Sequence, residues 1–148
     1  YTKLEREGVT PAWPFGAGLS YTRFGFADAR AALAPDGETI QVSVDVANEG
    51  DRAGECVVQV YAGWAETDEA QPRKRLCGFT RVALAPGGTT RAQLRVALAD
   101  LAWFDAEARR WRLGARDWTI HVGGSSAAAD LATASIALPE RSWSIAER

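Results

Sequence analysis

The sequence predicts an all-β fold, an antiparallel sandwich of two sheets built from about seven strands. Three observations lead there. Apolar and polar residues alternate with a period of two through most of the chain. Clusters of Gly, Pro, Asn and Asp break that alternation at roughly 10-residue intervals. Helical character is confined to two short stretches, "FADARAAL" and "ALADLAWF".

The clearest strand is "TIQVSVDVANEG", where Ile40, Val42, Val44 and Val46 share one face and Gln41, Ser43 and Asp45 the other. The turn "NEGDRAG" follows, and then "ECVVQVYAG", so Ile40 to Ala47 and Glu55 to Ala62 read as an antiparallel pair. Further β-branched runs stand at "RLCGFTRVAL", "TTRAQLRVAL", "DWTIHVGG" and "DLATASIAL", with "APGG" as turn material between the first two. "FADARAAL" reads as part of an opening strand, Phe24 to Leu33, and "ALADLAWF" as a one-turn connection begun by Asp100. Gly78 interrupts the alternation, so Leu76 and Phe79 both face inward only if the strand bulges there, a geometry that would make alanine unfavourable at this position. Such a set of short strands fits a sandwich of immunoglobulin or fibronectin type III kind. The immunoglobulin pattern of two core cysteines around a strand tryptophan is not convincingly met, which favours the fibronectin branch.

At 148 residues the chain has one domain's length, and folding at this size removes roughly 68% of the unfolded surface from water. With 47% hydrophobic and 24% charged residues and a net charge of −2, it has an ordinary globular composition. No apolar run approaches the ~20 residues that span a bilayer. The basic clusters, Arg73 to Arg75 and Arg109 with Arg110, are short and read as solvated faces, so neither a membrane nor a nucleic acid is an expected partner. Cys56 and Cys77 lack zinc-like spacing and read as free thiols, with a single disulfide as the alternative.

The stretch "PFGAGLSYTRF" closely resembles the segment of glycoside hydrolase family 3 enzymes that leads out of their α/β domain into a C-terminal fibronectin type III-like domain. "VSVDVANEGDRAGECVVQVY", "PRKRLCGFTRVALAPGG", "DLAWFD" and "WTIHVGGSS" resemble successive parts of that domain, so the similarity runs from Pro14 to about Leu138. Two positions depart from it: Gly88 stands where an acidic residue is usual, and Arg116 where a glycine is common, which calls the local turn into question. The resemblance implies three parts: residues 1–22 as the tail of a preceding domain and a connector, 23–140 as the sandwich, and 141–148 as a C-terminal tail. It implies that Trp13, Phe15 and Tyr21 pack against a catalytic barrel and an α/β domain, the alternative being that they cap the sandwich's own core. The implied role is that of a non-catalytic accessory domain in a retaining β-glucosidase or β-xylosidase, stabilising the catalytic domains and bordering the substrate entrance. An independent carbohydrate-binding module is the rival reading. No cofactor is implied. The compartment is not legible in the sequence, and the resemblance leans towards a periplasmic or secreted parent.

Retaining glycosidases need a carboxylate nucleophile and a carboxyl acid/base about 5 Å apart, and the resemblance places both on domains other than this one. Asp117 in "RDW" opens a strand, while Asp105 with Glu107 and Asp68 with Glu69 read as solvated turn residues that stay ionised. A lone His121 between Ile120 and Val122 reads as a surface strand residue and makes neither a triad nor a metal site. "GGSS" lacks the continuation of a phosphate-binding loop and reads as a turn. Of the six tryptophans, Trp118 has inward parity and Trp103 and Trp111 read as a cross-strand pair. Trp64 lies in a polar loop with no evident core to enter, which makes it the candidate contact for sugar or for the catalytic domains.

Overall fold

The computed structural model describes residues 1–64 and 72–147. Among these residues ten strands lie in three antiparallel sheets. They are β1 (Phe24–Leu33), β2 (Thr39–Asn48), β3 (Gly54–Gly63), β4 (Lys74–Leu84), β5 (Thr89–Ala97), β6 (Trp103–Asp105), β7 (Arg110–Leu113), β8 (Arg116–Gly123), β9 (Leu131–Leu138) and β10 (Arg141–Trp143). One sandwich layer has the order β1-β2-β5 and the other β4-β3-β8-β9. A small sheet, β10-β7-β6, hangs beside them.

The seven expected strands are the seven of the two sandwich layers. The other three come from residues 103–113 and 141–143, too short to show an alternation. Between them, Phe104 stands opposite Trp111 and Trp103 opposite Arg112, so the expected Trp103–Trp111 pair is displaced by one residue. The rings of Phe104 and Trp111 meet edge on, with centroids 5.3 Å apart.

Alternation fills the core from both layers. Ile40, Val42, Val44, Val46, Leu94 and Val96 face Val58, Val60, Trp118, Ile120 and Val122. Each such aliphatic side chain is worth about 1.5–3 kcal/mol when removed from water. One expectation fails here: β2 and β3 are not paired. Strand β2 bonds to β1 and β5, and β3 to β4 and β8, because the 49–53 turn carries the chain from one layer to the other. Both strands show inward valines, so their alternation is the same whether they are neighbours or face each other.

A bulge does occur in β4, where Val60 pairs with Gly78 and Tyr61 with Leu76, leaving Cys77 as the extra residue. Phe79 nevertheless points outward and is 71% exposed. Gly78 faces the core with room for a methyl group, since an added Cβ would lie 3.6 Å from Val96 and 3.8 Å from Leu94. The expected penalty for alanine there is thereby overturned. A second irregularity in β1, between Ala27 and Arg30, places Asp28 at φ 49°, where its carboxylate receives hydrogen bonds from Arg30 and Arg91. A single 3₁₀ turn, Leu98–Leu101, makes the connection expected near Asp100, starting two residues earlier.

Arg116 holds no left-handed backbone, so the departure from glycine costs nothing there. It opens β8 opposite Leu138. The Arg73 to Arg75 cluster is not a solvated face throughout: Lys74 is buried against Glu5, and Arg75 donates to the carbonyl of Asp100 at 2.6 Å. Both thiols are free, as the spacing suggested.

Candidate functional site

Residues 1–22 form an arm that lies across the outer face of the four-stranded sheet. A short helix, α1 (Thr2–Arg6), starts it. Tyr1 packs edge on against Tyr61 of β3 at 5.6 Å, and its hydroxyl accepts the Leu76 N–H at 2.7 Å. Glu5 receives the ammonium of Lys74, and the Ser126 N–H donates to the carbonyl of Phe15 at 2.8 Å. Gly16 adopts φ 87° and presses its backbone against the Gln59 amide, where no side chain has space. Beneath the arm Tyr61 is fully buried and donates to Gln59, which donates in turn to the carbonyl of Gly124 at 2.9 Å. Burial and the neighbouring Tyr1 and Glu5 push the Tyr61 hydroxyl up to about 12. The outer sheet face is thus a second, partly polar core. Parity reveals that Gln59, Tyr61 and His121 share a face but not that an arm covers it.

Between arm and sheet lies a cleft of about 690 Å³ lined by Tyr1, Glu5, Trp64, Lys74, Thr119 and His121, with Ser126 and several apolar residues completing it. His121, expected on an open surface, is half-buried here. Burial, then the charge of Lys74, lowers its pKa against a smaller opposing pull from Glu5. Thr119 and His121 are two residues apart on β8 and project to the same side, opposite Gly63 and Tyr61. Ser126 is 4% exposed and sits in the turn after β8. Among the described residues, the only sealed side-chain atoms without a hydrogen-bond partner are Glu5 Oε2 and Trp118 Nε1.

Trp64 does have a core to enter. Its ring packs edge on against Trp118 at 4.7 Å, and the guanidinium of Arg116 lies over it at 4.7 Å. The expected interdomain residues are open: Trp13 is 81% exposed, Phe15 51% and Tyr21 89%, with Leu19 and Val9 exposed beside them. Phe15 also touches the ring of Tyr1, at 5.7 Å.

A backbone N–H from Ala108, then Arg112, hold Asp105 below the usual carboxylate range. Asp117 is exposed at the start of β8, and Asp68 and Glu69 lie outside the described residues. No group of three or more His, Cys, Asp and Glu side chains that could hold a metal occurs among the described residues. No helix among them is long and apolar enough to cross a membrane.

The fold and the arm define a β-sandwich module. The fibronectin type III-like domain model matches residues 56–126. A β-glucosidase of Rhizobium radiobacter is 41% identical over 143 residues, covering 94% of this chain and 17% of that protein. β-Glucosidase B of Emericella nidulans is 42% identical over 125 residues, covering 84% of this chain and 15% of the relative. Among solved structures, β-glucosidase 3B from Thermotoga neapolitana in complex with glucose superposes with a TM-score of 0.85 and 32% identity, over 97% of this chain and 20% of that one. The β-glucosidase of Kluyveromyces marxianus in complex with glucose gives a TM-score of 0.83 at 33% identity, over 97% and 17%. The chain spans about a fifth or less of the length of these relatives. It belongs to the fibronectin type III-like domains of glycoside hydrolase family 3 enzymes.

Proposed function

We propose that this chain is the accessory domain of a retaining family 3 glycoside hydrolase of β-glucosidase type, stabilising the placement of the catalytic domains and bordering the substrate entrance. The observation that carries the reading is the coverage. Nearly the whole chain aligns with β-glucosidases and accounts for only 17% of one and 20% of another. On this reading both catalytic carboxylates lie on the remainder of the enzyme, and the exposed arm residues Trp13, Phe15 and Tyr21 pack against a catalytic barrel and an α/β domain. Three large rings in a stretch this short, two of them more than four-fifths exposed, support that use. A scaffold of this kind matters without touching the reaction, because a misplacement of about 1 Å can cost ~100-fold in rate.

The test is a parent enzyme carrying this domain, compared with the same enzyme bearing Trp13→Ser and Tyr21→Ser together. Lower thermal stability and reduced kcat/KM on a nitrophenyl glucoside are expected, with the isolated domain's own melting temperature unchanged. Full activity and stability of the double variant would remove the packing role.

A further inference from the structure

We propose that the cleft between the arm and the outer face of the four-stranded sheet binds a neutral polyhydroxylated ligand, a single sugar ring, through Thr119, His121 and Ser126 with Trp64 as a wall. Among the described residues no hydrogen bond occupies the side-chain hydroxyls of Thr119 and Ser126 or the ring nitrogens of His121. Ser126 is only 4% exposed as a residue, yet it lines the cleft with Thr119 and His121. Three neighbouring polar groups with no hydrogen-bond partner among the described residues thus line one side of the cleft.

The type of group selects the ligand. A hydroxyl both donates and accepts, and a neutral imidazole offers one donor and one acceptor. The matching ligand group is one that also does both. A carboxylate or phosphate only accepts and an ammonium only donates, so each leaves half of this set unused. Of the charged groups lining the cleft, Lys74 and Glu5 are paired with each other and Arg73 stands exposed at its edge, while burial beside Lys74 keeps His121 neutral at neutral pH. Two polar side chains two residues apart on one strand stand roughly 7 Å from each other, a spacing that reaches hydroxyls on different carbons of one ring. Val9, Pro11, Ala127 and Ala128 supply apolar lining for the C–H faces, and the volume falls within the ~300–1,000 Å³ of small-ligand sites. The site is distinct from a platform of exposed tryptophans, because the ring of Trp64 already carries Arg116 and Trp118.

The experiment is a titration of the 148-residue chain with glucose, and separately with sulfate, followed by NMR of the His121 imidazole and the indole N–H signals. Expected are saturable shifts of His121 and Trp64 with glucose at weak, millimolar affinity. Thr119→Val with Ser126→Ala should weaken binding roughly tenfold or more, as loss of hydrogen bonds to a neutral ligand does, with the melting temperature held. If that pair disturbs folding, Ser126→Ala alone is the comparison, since its backbone bond to Phe15 is retained. Silence towards glucose, shifts with sulfate only, or glucose shifts limited to the exposed Trp13 would each overturn the proposal.

Discussion

The hydroxyl of Thr22 donates to the side-chain oxygen of Asn48, joining the last residues of the arm to the end of β2. The same Asn48 serves the turn that changes layer. Its amide nitrogen donates to the carbonyls of Arg52 at 2.7 Å, Ala85 at 3.1 Å and Leu84 at 3.2 Å, and its oxygen accepts the Gly50 N–H at 3.1 Å. One buried amide therefore satisfies backbone groups from the β2–β3 and β4–β5 connections. Asn48→Ala strands them in a site that is 2% exposed, where each unmet group costs about 1–3 kcal/mol. A loss of roughly 3 kcal/mol in denaturant unfolding is expected, and Thr22→Val should lose about 1 kcal/mol. An Asn48→Ala protein as stable as the parent would dismiss the hub.

Gly16 is a point at which the backbone of the arm presses on the sheet. At φ 87° an L-residue is strained, and an added Cβ would overlap the Gln59 amide and lie 2.9 Å from the Gly124 carbonyl. Gly16→Ala should therefore lift the arm locally, with a stability loss of about 2 kcal/mol. Limited proteolysis should then cut between residues 8 and 20 faster than in the parent. Equal cleavage rates would show that the contact is not holding the arm.

How far these features were legible differs by residue. The period of two in Ile40 to Val46 and at Trp118, Ile120 and Val122 located both inward faces, and Phe24 to Leu33 emerged with the expected ends. Alternation reports which face a residue takes but not which strand lies beside it, which is why β2 and β3 read as partners although they sit in opposite layers. His121 and Lys74 were misplaced for another reason. Their burial is supplied by an arm many residues distant, and nothing local in "TIHVGG" or "PRKRL" encodes a cover. The cleft follows from the same long-range contact and had no local signal.

Gly78→Ala should be neutral or gain up to about 1 kcal/mol. Its backbone is not left-handed, the new methyl group would meet Val96 and Leu94 at ordinary contact distance, and the unfolded chain loses freedom. Thermal melting of the single variant checks this. A fall of several degrees would mean that the bulge at Cys77 tolerates no side chain beside it.

Both thiols should be counted as reduced only after unfolding. Burial raises the Cys56 thiol and pushes that of Cys77 up to about 12, and the Cys77 S–H rests on the Val60 carbonyl at 3.4 Å. Only the thiolate attacks a disulfide reagent. Titration with such a reagent at neutral pH should label the native protein slowly, Cys77 slowest, and release two equivalents per chain in denaturant, matching the two cysteines. Fewer than two equivalents in denaturant would indicate a disulfide.

Stability should fall as the medium is acidified through the range where histidine titrates. His121 in the folded chain binds its proton less readily than a free histidine, first because it is half-buried and then because Lys74 faces it, with Glu5 opposing. The unfolded chain therefore takes up more protons between the ordinary histidine value and the depressed folded one, and unfolding gains from each step down in pH. The contribution is complete above about pH 7 and is lost as pH drops below about 6. The lowered carboxylates Asp28, Asp36 and Asp105 still hold their charge there and act only at more acid pH. Urea unfolding at pH 7.5 and pH 5.5 should thus show a loss that His121→Gln abolishes, since glutamine keeps a polar head without a titrating proton. A loss of the same size in His121→Gln would assign the pH dependence to another group and would leave His121 a solvated residue, with no buried cleft around it.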